Sequence, residues 1–312
     1  MQQVTKNLLM VKPAFFSSNP DTISSNEFQH QIESRFSKND IQISALSEFL
    51  QMATVLKSKN INIHIYDDIE EHRNPDAIFP NNWVTFHECG TALLYPMMSS
   101  KRRTERRLDI IKSLSSNGYF VRNIVDMSHL EKEGHYLEGT GSMVLDRVNR
   151  RAYACLSSRT SRKALSSFSK KMDYEIIEFT SSTDVPIYHT NVMMSLGEET
   201  ALVCFDVIKE KKVSKNLKLR LEESGRVLIN VSVDQMNNFL GNALEVKNEW
   251  NEKFLLMSET AKKSLTFQQK KLISERLDIL SFPIPTIEKY GGGSVRCMLA
   301  EIFLEREHQH DI

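Results

Sequence analysis

A cysteine, a histidine and a glutamate lying far apart in this chain have the side-chain types needed for nucleophilic chemistry at a planar carbon. Cys297 follows Gly291-Gly292-Gly293-Ser294-Val295-Arg296 and enters the apolar run Met298-Leu299-Ala300. Three consecutive glycines let a backbone bend tightly and leave room for a ligand, so the sulfur is placed for the floor of a cleft. A thiol must lose its proton before it attacks, and an imidazole is the usual partner. His189 is the candidate, able afterwards to protonate a departing amine and to activate water. Glu138 would orient that imidazole or accept the N–H groups of a flat substrate. Phe79, three residues before Asn82, offers a ring for stacking on a guanidinium or ureido group. Each has an ordinary alternative: a structural cysteine after a flexible turn, a satisfied core histidine, a packed phenylalanine.

The surrounding elements give these residues a common address. One unit recurs: a short hairpin, a helix, then a lone strand. Its copies begin at Asn82, Ser142, Asn191 and Ala243, and their lone strands are expected at Tyr119–Val125, Glu175–Phe179, Arg226–Val231 and Phe282–Ile287. Helices are expected over Arg102–Ser115, from Ser161, up to Glu223 and up to Asp278. A fifth hairpin starts at Ser294–Met298 and runs out of chain. Its missing strand is available at the other end, in Leu8–Val11, followed by helical stretches between Asn26 and Lys57 and the strand Ile61–Ile65. A period of roughly 50 to 60 residues points to a closed radial array. The expected fold is therefore α/β, a five-bladed pseudo-symmetric propeller closed by the two termini, with residues 1–312 as one catalytic domain. Symmetry would gather the polar or glycine-rich corners before each hairpin, including Gly241-Asn242, at one end of the axis. Asn82, Glu138, His189 and Cys297 then share a pocket.

Composition narrows the class. Among 312 residues, forty basic and forty acidic side chains cancel, which removes the electrostatic case for a nucleic-acid or membrane-surface partner. The basic cluster Lys101–Arg107 carries Glu105 within it and reads as a solvated helix start. No apolar run reaches the ~18 residues of a membrane span, and the first residues lack a secretory leader. Four scattered cysteines, without C-x-x-C pairs or zinc spacing, suit free thiols in a cytoplasm. Cys89 reads as incidental in a turn, Cys155 and Cys204 as core, and the histidines of the Glu305–His310 tail as a polar end rather than a metal site. Asp126–Tyr136 is the expected lid.

Gly-Gly-Gly-Ser-Val-Arg-Cys-Met around Cys297, Tyr-His-Thr-Asn around His189, Leu137-Glu138-Gly139-Thr140-Gly141 and Leu156-Ser157-Ser158-Arg159-Thr160 together resemble the guanidino-group-modifying superfamily, and most closely its citrulline-utilisation hydrolase branch. That superfamily includes arginine deiminases, dimethylarginine dimethylaminohydrolases and amidinotransferases on the pentein fold. The resemblance implies Cys297 as nucleophile, His189 as general acid and base, and Glu138 as the glutamate of a Glu-Gly-Gly-Asp segment. It implies Arg159 as a ligand of the substrate α-carboxylate, with Arg102 or Arg103 as a second contact, a task suited to a guanidinium fork. Asp76-Ala77-Ile78-Phe79-Pro80-Asn81-Asn82 resembles the segment that lines the pocket and grips the guanidinium. No metal or organic cofactor is expected. The partner is a small amino-acid substrate, with a homodimer left open.

Three departures bear on the substrate. Asn82 and Asn191 stand where arginine deiminases carry aspartate, and Gly141 replaces the last acid of Glu-Gly-Gly-Asp. A buried guanidinium wants carboxylates opposite it, whereas a neutral ureido group offers a carbonyl and N–H groups that amides complement. The expected reaction is attack of Cys297 on the ureido or guanidino carbon of citrulline or a substituted arginine, through a thioester-like or thiouronium intermediate. Alternatives are an arginine-directed deiminase, a dimethylarginine hydrolase or an amidinotransferase. Outside enzymes, they are a non-catalytic binding module or a redox-sensing thiol.

Overall fold

Each recurring unit folds in the expected order: a hairpin, a helix, and a strand that returns parallel to the second hairpin strand. The structure, a computed structural model, describes residues 2–33, 37–184 and 186–306, so the tail histidines His308 and His310 lie outside the described residues. Two strands come first, β1 (Asn7–Lys12) and β2 (Asn62–Asp67). The next units give β3 (Val84–His87), β4 (Thr91–Leu94) and β5 (Asn123–Asp126), then β6 (Val144–Asp146), β7 (Arg151–Cys155) and β8 (Glu175–Phe179). They are followed by β9 (Met194–Leu196), β10 (Thr200–Val203) and β11 (Val227–Asn230), and by β12 (Leu244–Lys247), β13 (Lys253–Ser258) and β14 (Asp278–Phe282). The last strand is β15 (Ala300–Glu301).

These strands form five three-stranded sheets. In the first sheet, β3 to β5, Val84 faces Leu94 in an antiparallel pair, and Thr91 faces Asn123 in a parallel one. The fifth sheet joins the chain ends: β1 pairs antiparallel with β15 through Leu8 and Glu301, and parallel with β2 through Asn7 and Asn62. Hairpin strands such as β3, β4 and β10 are buried throughout, while the return strands β5, β8, β11 and β14 are partly exposed. First hairpin strands of neighbouring sheets touch, β6 with β9 and β9 with β12, and β15 touches β3. Gln3 ties two of them by donating to the carbonyls of Leu145 and Leu196.

Helices cover the outer faces. Lys38–Ser58 starts at a capping box between Ser37 and Asp40 and buries Ile41, Ala45, Phe49, Met52 and Leu56, residues three or four apart on one stripe. Each large apolar side chain buried there contributes roughly 1.5–3 kcal/mol.

Several expected elements differ. Phe282–Ile287 is no strand: β14 ends at Phe282, and Pro285 opens the helix Pro285–Gly291 because its ring fixes φ and it has no N–H to leave unpaired. Glu48 accepts the free N–H groups of Thr286 and Ile287 at that helix start. Ser294–Met298 is likewise a single 3-10 turn, Val295–Met298, and the strand shrinks to β15. The segment Lys101–Glu105 is a separate 3-10 turn before the helix Leu108–Ser116, and it is not solvated: Arg102 and Glu105 are buried. The fourth unit's helix is two, Glu259–Ser264 and Phe267–Ser274. No described helix is long and apolar enough to cross a membrane.

Candidate active site

The corners before the hairpins are one-turn helices, at Pro80–Asn82, Gly139–Ser142, Thr190–Val192 and Val295–Met298. Four corner residues, Phe79, Asn82, His189 and Cys297, line one tight cavity of about 20 Å³, together with Asp76, Arg102, Arg159 and Tyr188. The glycine run fits Phe79 rather than only a ligand. A Cβ on Gly291 or Gly293 would come within 2.8 or 3.0 Å of the Phe79 ring, and Gly292 is left-handed at φ 64°.

Cys297 is buried in the turn, its N–H donating to Ser294 O at 2.9 Å. Its sulfur meets two amides: Asn242 Nδ2 donates at 3.3 Å and Asn191 Nδ2 at 3.6 Å. His189 Nε2 lies 2.8 Å from Glu138 Oε2, while Glu138 Oε1 accepts the Met98 N–H at 3.0 Å. Arg102 Nη1 and Arg159 Nη1 each lie 3.6 Å from the same Glu138 oxygen. Burial alone would raise the Glu138 carboxyl, but the Arg159 guanidinium, the His189 hydrogen bond and Arg102 hold it well below the usual carboxylate range. Burial lowers His189 to about 4, with Glu138 opposing and the arginines assisting. The imidazole is thus neutral at neutral pH. An ionised Glu138 fixes its proton on Nε2, so Nδ1 is left as the basic nitrogen.

Gly141 is packed against the site. A Cβ there would sit 2.7 Å from His189 Nδ1 and closer still to Asn82 Nδ2, so no side chain fits. Buried atoms left without partners cluster nearby: Asn82 Nδ2, Asp76 Oδ1, Arg159 Nε and Asn191 Oδ1. Three of these four residues line the cavity, an arrangement that suits a polar ligand.

The two candidate carboxylate ligands at 102 and 103 separate. Arg102 faces the cavity but is held by Glu105 through two bonds of 2.9 Å. Arg103 turns away to Met97 O and Glu131, with a third of its side chain exposed, and it does not reach the cavity. Arg159 packs 5.0 Å over the Tyr188 ring and donates to Thr22 O and Ser25 Oγ. That contact belongs to the segment covering the site: Thr22 and Asn26 line the cavity, and Asn26 Nδ2 donates to Gly292 O. No residue of Asp126–Tyr136 lines it; Glu131 there is engaged by Arg106 and Arg103 instead. Sequence reasoning missed Thr22, Asn26 and Tyr188 as lining residues. It also missed Asn242, although the fourth corner marked its place.

A family model described as N,N dimethylarginine dimethylhydrolase, eukaryotic, matches residues 12–304. The chain belongs to that family. With it the chain joins the guanidino-group-modifying superfamily, and the family is one of hydrolases acting on guanidino carbon–nitrogen bonds. Among solved structures it is similar to apo ArgZ, an arginine dihydrolase from the ornithine-ammonia cycle in cyanobacteria, with a TM-score of 0.74 at 15% identity over 97% of this chain. The chain spans only 41% of that protein. It matches 99% of the N-terminal domain of ArgZ covalently bound to a reaction intermediate, with a TM-score of 0.72, 16% identity and 96% of this chain covered. A dimethylarginine dimethylaminohydrolase adduct with 4-chloro-2-hydroxymethylpyridine gives 0.64 at 13% identity, covering 96% of this chain and 100% of that one. Likeness at these identities shows the fold alone. No curated protein matched in a sequence search.

Proposed function

We propose that this protein hydrolyses the ureido or guanidino carbon of an arginine-related amino acid, with citrulline as the favoured substrate. The observation that carries this reading is the pair of neutral amides, Asn82 at the cavity and Asn191 at the sulfur, where arginine deiminases carry aspartates. Amides complement a group that both donates and accepts hydrogen bonds, and they grip a cation less strongly than carboxylates.

In the proposed sequence the Cys297 thiolate adds to the ureido carbon, and its S–C bond forms as the C–N bond to the departing amine breaks. Nδ1 of neutral His189 takes the Cys297 thiol proton before the attack and hands that proton to the departing amine, leaving an S-carbamoyl or thiouronium enzyme. Nδ1 of neutral His189 then takes a proton from water, which attacks the same carbon and releases the thiol. Glu138 keeps the imidazole oriented. Arg159, with an unpartnered Nε in the cavity wall, is the α-carboxylate ligand.

The family match supports a second reading, hydrolysis of a methylated arginine. A turnover screen of citrulline, arginine, methylated arginines and agmatine, with ammonia and ornithine both measured, separates the two. Turnover of free arginine well above citrulline overturns the first. We also infer that the five sheets close into a propeller and act as one catalytic domain, supported by the sheet shared between the chain ends. The unpaired thiols support a cytoplasmic setting. Sedimentation of the purified chain reads whether it pairs as a homodimer.

A further inference from the structure

The structure assigns a catalytic role to Asn242: its amide stabilises the Cys297 thiolate in place of a cation. The inference rests on Cys297 being the nucleophile. Among the described residues, the hydrogen-bonding side chains at the sulfur are two asparagines, with Asn242 Nδ2 at 3.3 Å, Asn242 Oδ1 at 3.6 Å and Asn191 Nδ2 at 3.6 Å.

The orientation of the Asn242 amide follows from its other contacts. Its Oδ1 accepts the backbone N–H of Arg296 at 3.1 Å, which only an oxygen can do. Its Nδ2 donates to the carbonyl of Asn191 at 3.0 Å, which only a nitrogen can do. Both ends are therefore pinned, and the second N–H of Nδ2 is the one turned to the sulfur. The side chain is almost fully buried, so the donor is held without competition from bulk water.

Such an amide serves both protonation states. Its Oδ1 receives the S–H of the resting thiol, and its Nδ2 donates to the thiolate after the proton leaves. This matters most for an uncharged ureido substrate, which brings no positive charge to draw the thiolate out. Asn242 would also receive the sulfur again when the S–C bond breaks in the second half of the reaction.

The test compares iodoacetamide alkylation of Cys297 with that of the exposed Cys89 in the same molecule, by peptide mass spectrometry at pH 7.5. In Asn242→Ala the Cys297 to Cys89 rate ratio should fall about tenfold. Asn242→Asp keeps the acceptor for Arg296 but puts an anionic oxygen where the donor was, and there the fall should approach a hundredfold. A wild-type ratio in Asn242→Asp overturns the proposal. Labelling of the buried Cys155 and Cys204 in both variants would show a purely structural residue, and overturns it equally. The readout needs no turnover, so a failed substrate screen leaves this result standing, and an unchanged ratio leaves Cys297 as the nucleophile.

Discussion

Replacing His189 by glutamine should flatten the acid limb of the protein's stability. In the folded state burial holds the imidazole at about 4, against an ordinary 6.5. That difference corresponds to about 3 kcal/mol. The sign follows from proton binding: below pH 6.5 the unfolded chain takes up a proton at His189 that the folded chain refuses. The stability contribution is complete above pH 6.5, falls by roughly 1.4 kcal/mol per pH unit, and is gone below about 4. Glutamine has no such titration, yet its amide can still donate to Glu138. Urea unfolding of both proteins at half-unit steps from pH 7 to pH 4 should show the wild type losing stability relative to His189→Gln at that slope. The acid limb of wild-type kcat/KM should likewise lie below pH 5, since the neutral base persists there. Parallel stability curves, or an acid limb near 6.5, would refute the neutral, Glu138-bound imidazole.

Three further outcomes follow from the site. Gly141→Asp, which supplies the acid of the Glu-Gly-Gly-Asp pattern, should cost about 1–3 kcal/mol and more than a hundredfold in turnover, because the new side chain collides with His189 and Asn82; a thermal melt and a rate assay check this. Arg103→Ala should leave KM within about twofold, whereas Arg159→Lys should raise it at least about tenfold, since a point charge replaces a bidentate fork; steady-state kinetics of the pair decide it. Glu245→Gln should lower stability by about 2–3 kcal/mol, because that buried carboxylate accepts the N–H groups of Glu198, Glu199 and Thr200 and the Thr200 hydroxyl. Equilibrium urea unfolding measures it, and an unchanged midpoint counts against the latch between the third and fourth sheets.

Much of the fold was legible because strand periodicity and turn residues act locally. Glu175–Phe179 forms as expected from its place in the recurring unit and its Ile-Ile pair, and the split sheet at the termini follows from counting strands. The corners were readable as polar breaks but not as helical turns. Val295–Met298 leads into the apolar run Met298-Leu299-Ala300 as a strand would, yet it turns so that Cys297 N–H reaches Ser294 O. Pro285 overrode the apolar run after Phe282 in the same way. Which of Arg102 and Arg103 faces inward was not legible, because Glu105 decides it by capturing Arg102 inside the protein. The covering segment was missed for a similar reason: Asn26 binds Gly292 across 266 positions, and no local pattern announces such a contact. Asn242 was visible as a corner, but its bearing on the sulfur depends on how its amide is turned.

The central claim is a covalent bond from Cys297 to the substrate carbon. Peptide mass spectrometry of enzyme quenched during turnover with citrulline tests it most directly. The account predicts an added mass on the peptide carrying Cys297, absent without substrate and absent in Cys297→Ser, which should be inactive. Full activity in Cys297→Ser, or turnover with Cys297 unmodified throughout and the added mass elsewhere, would contradict it.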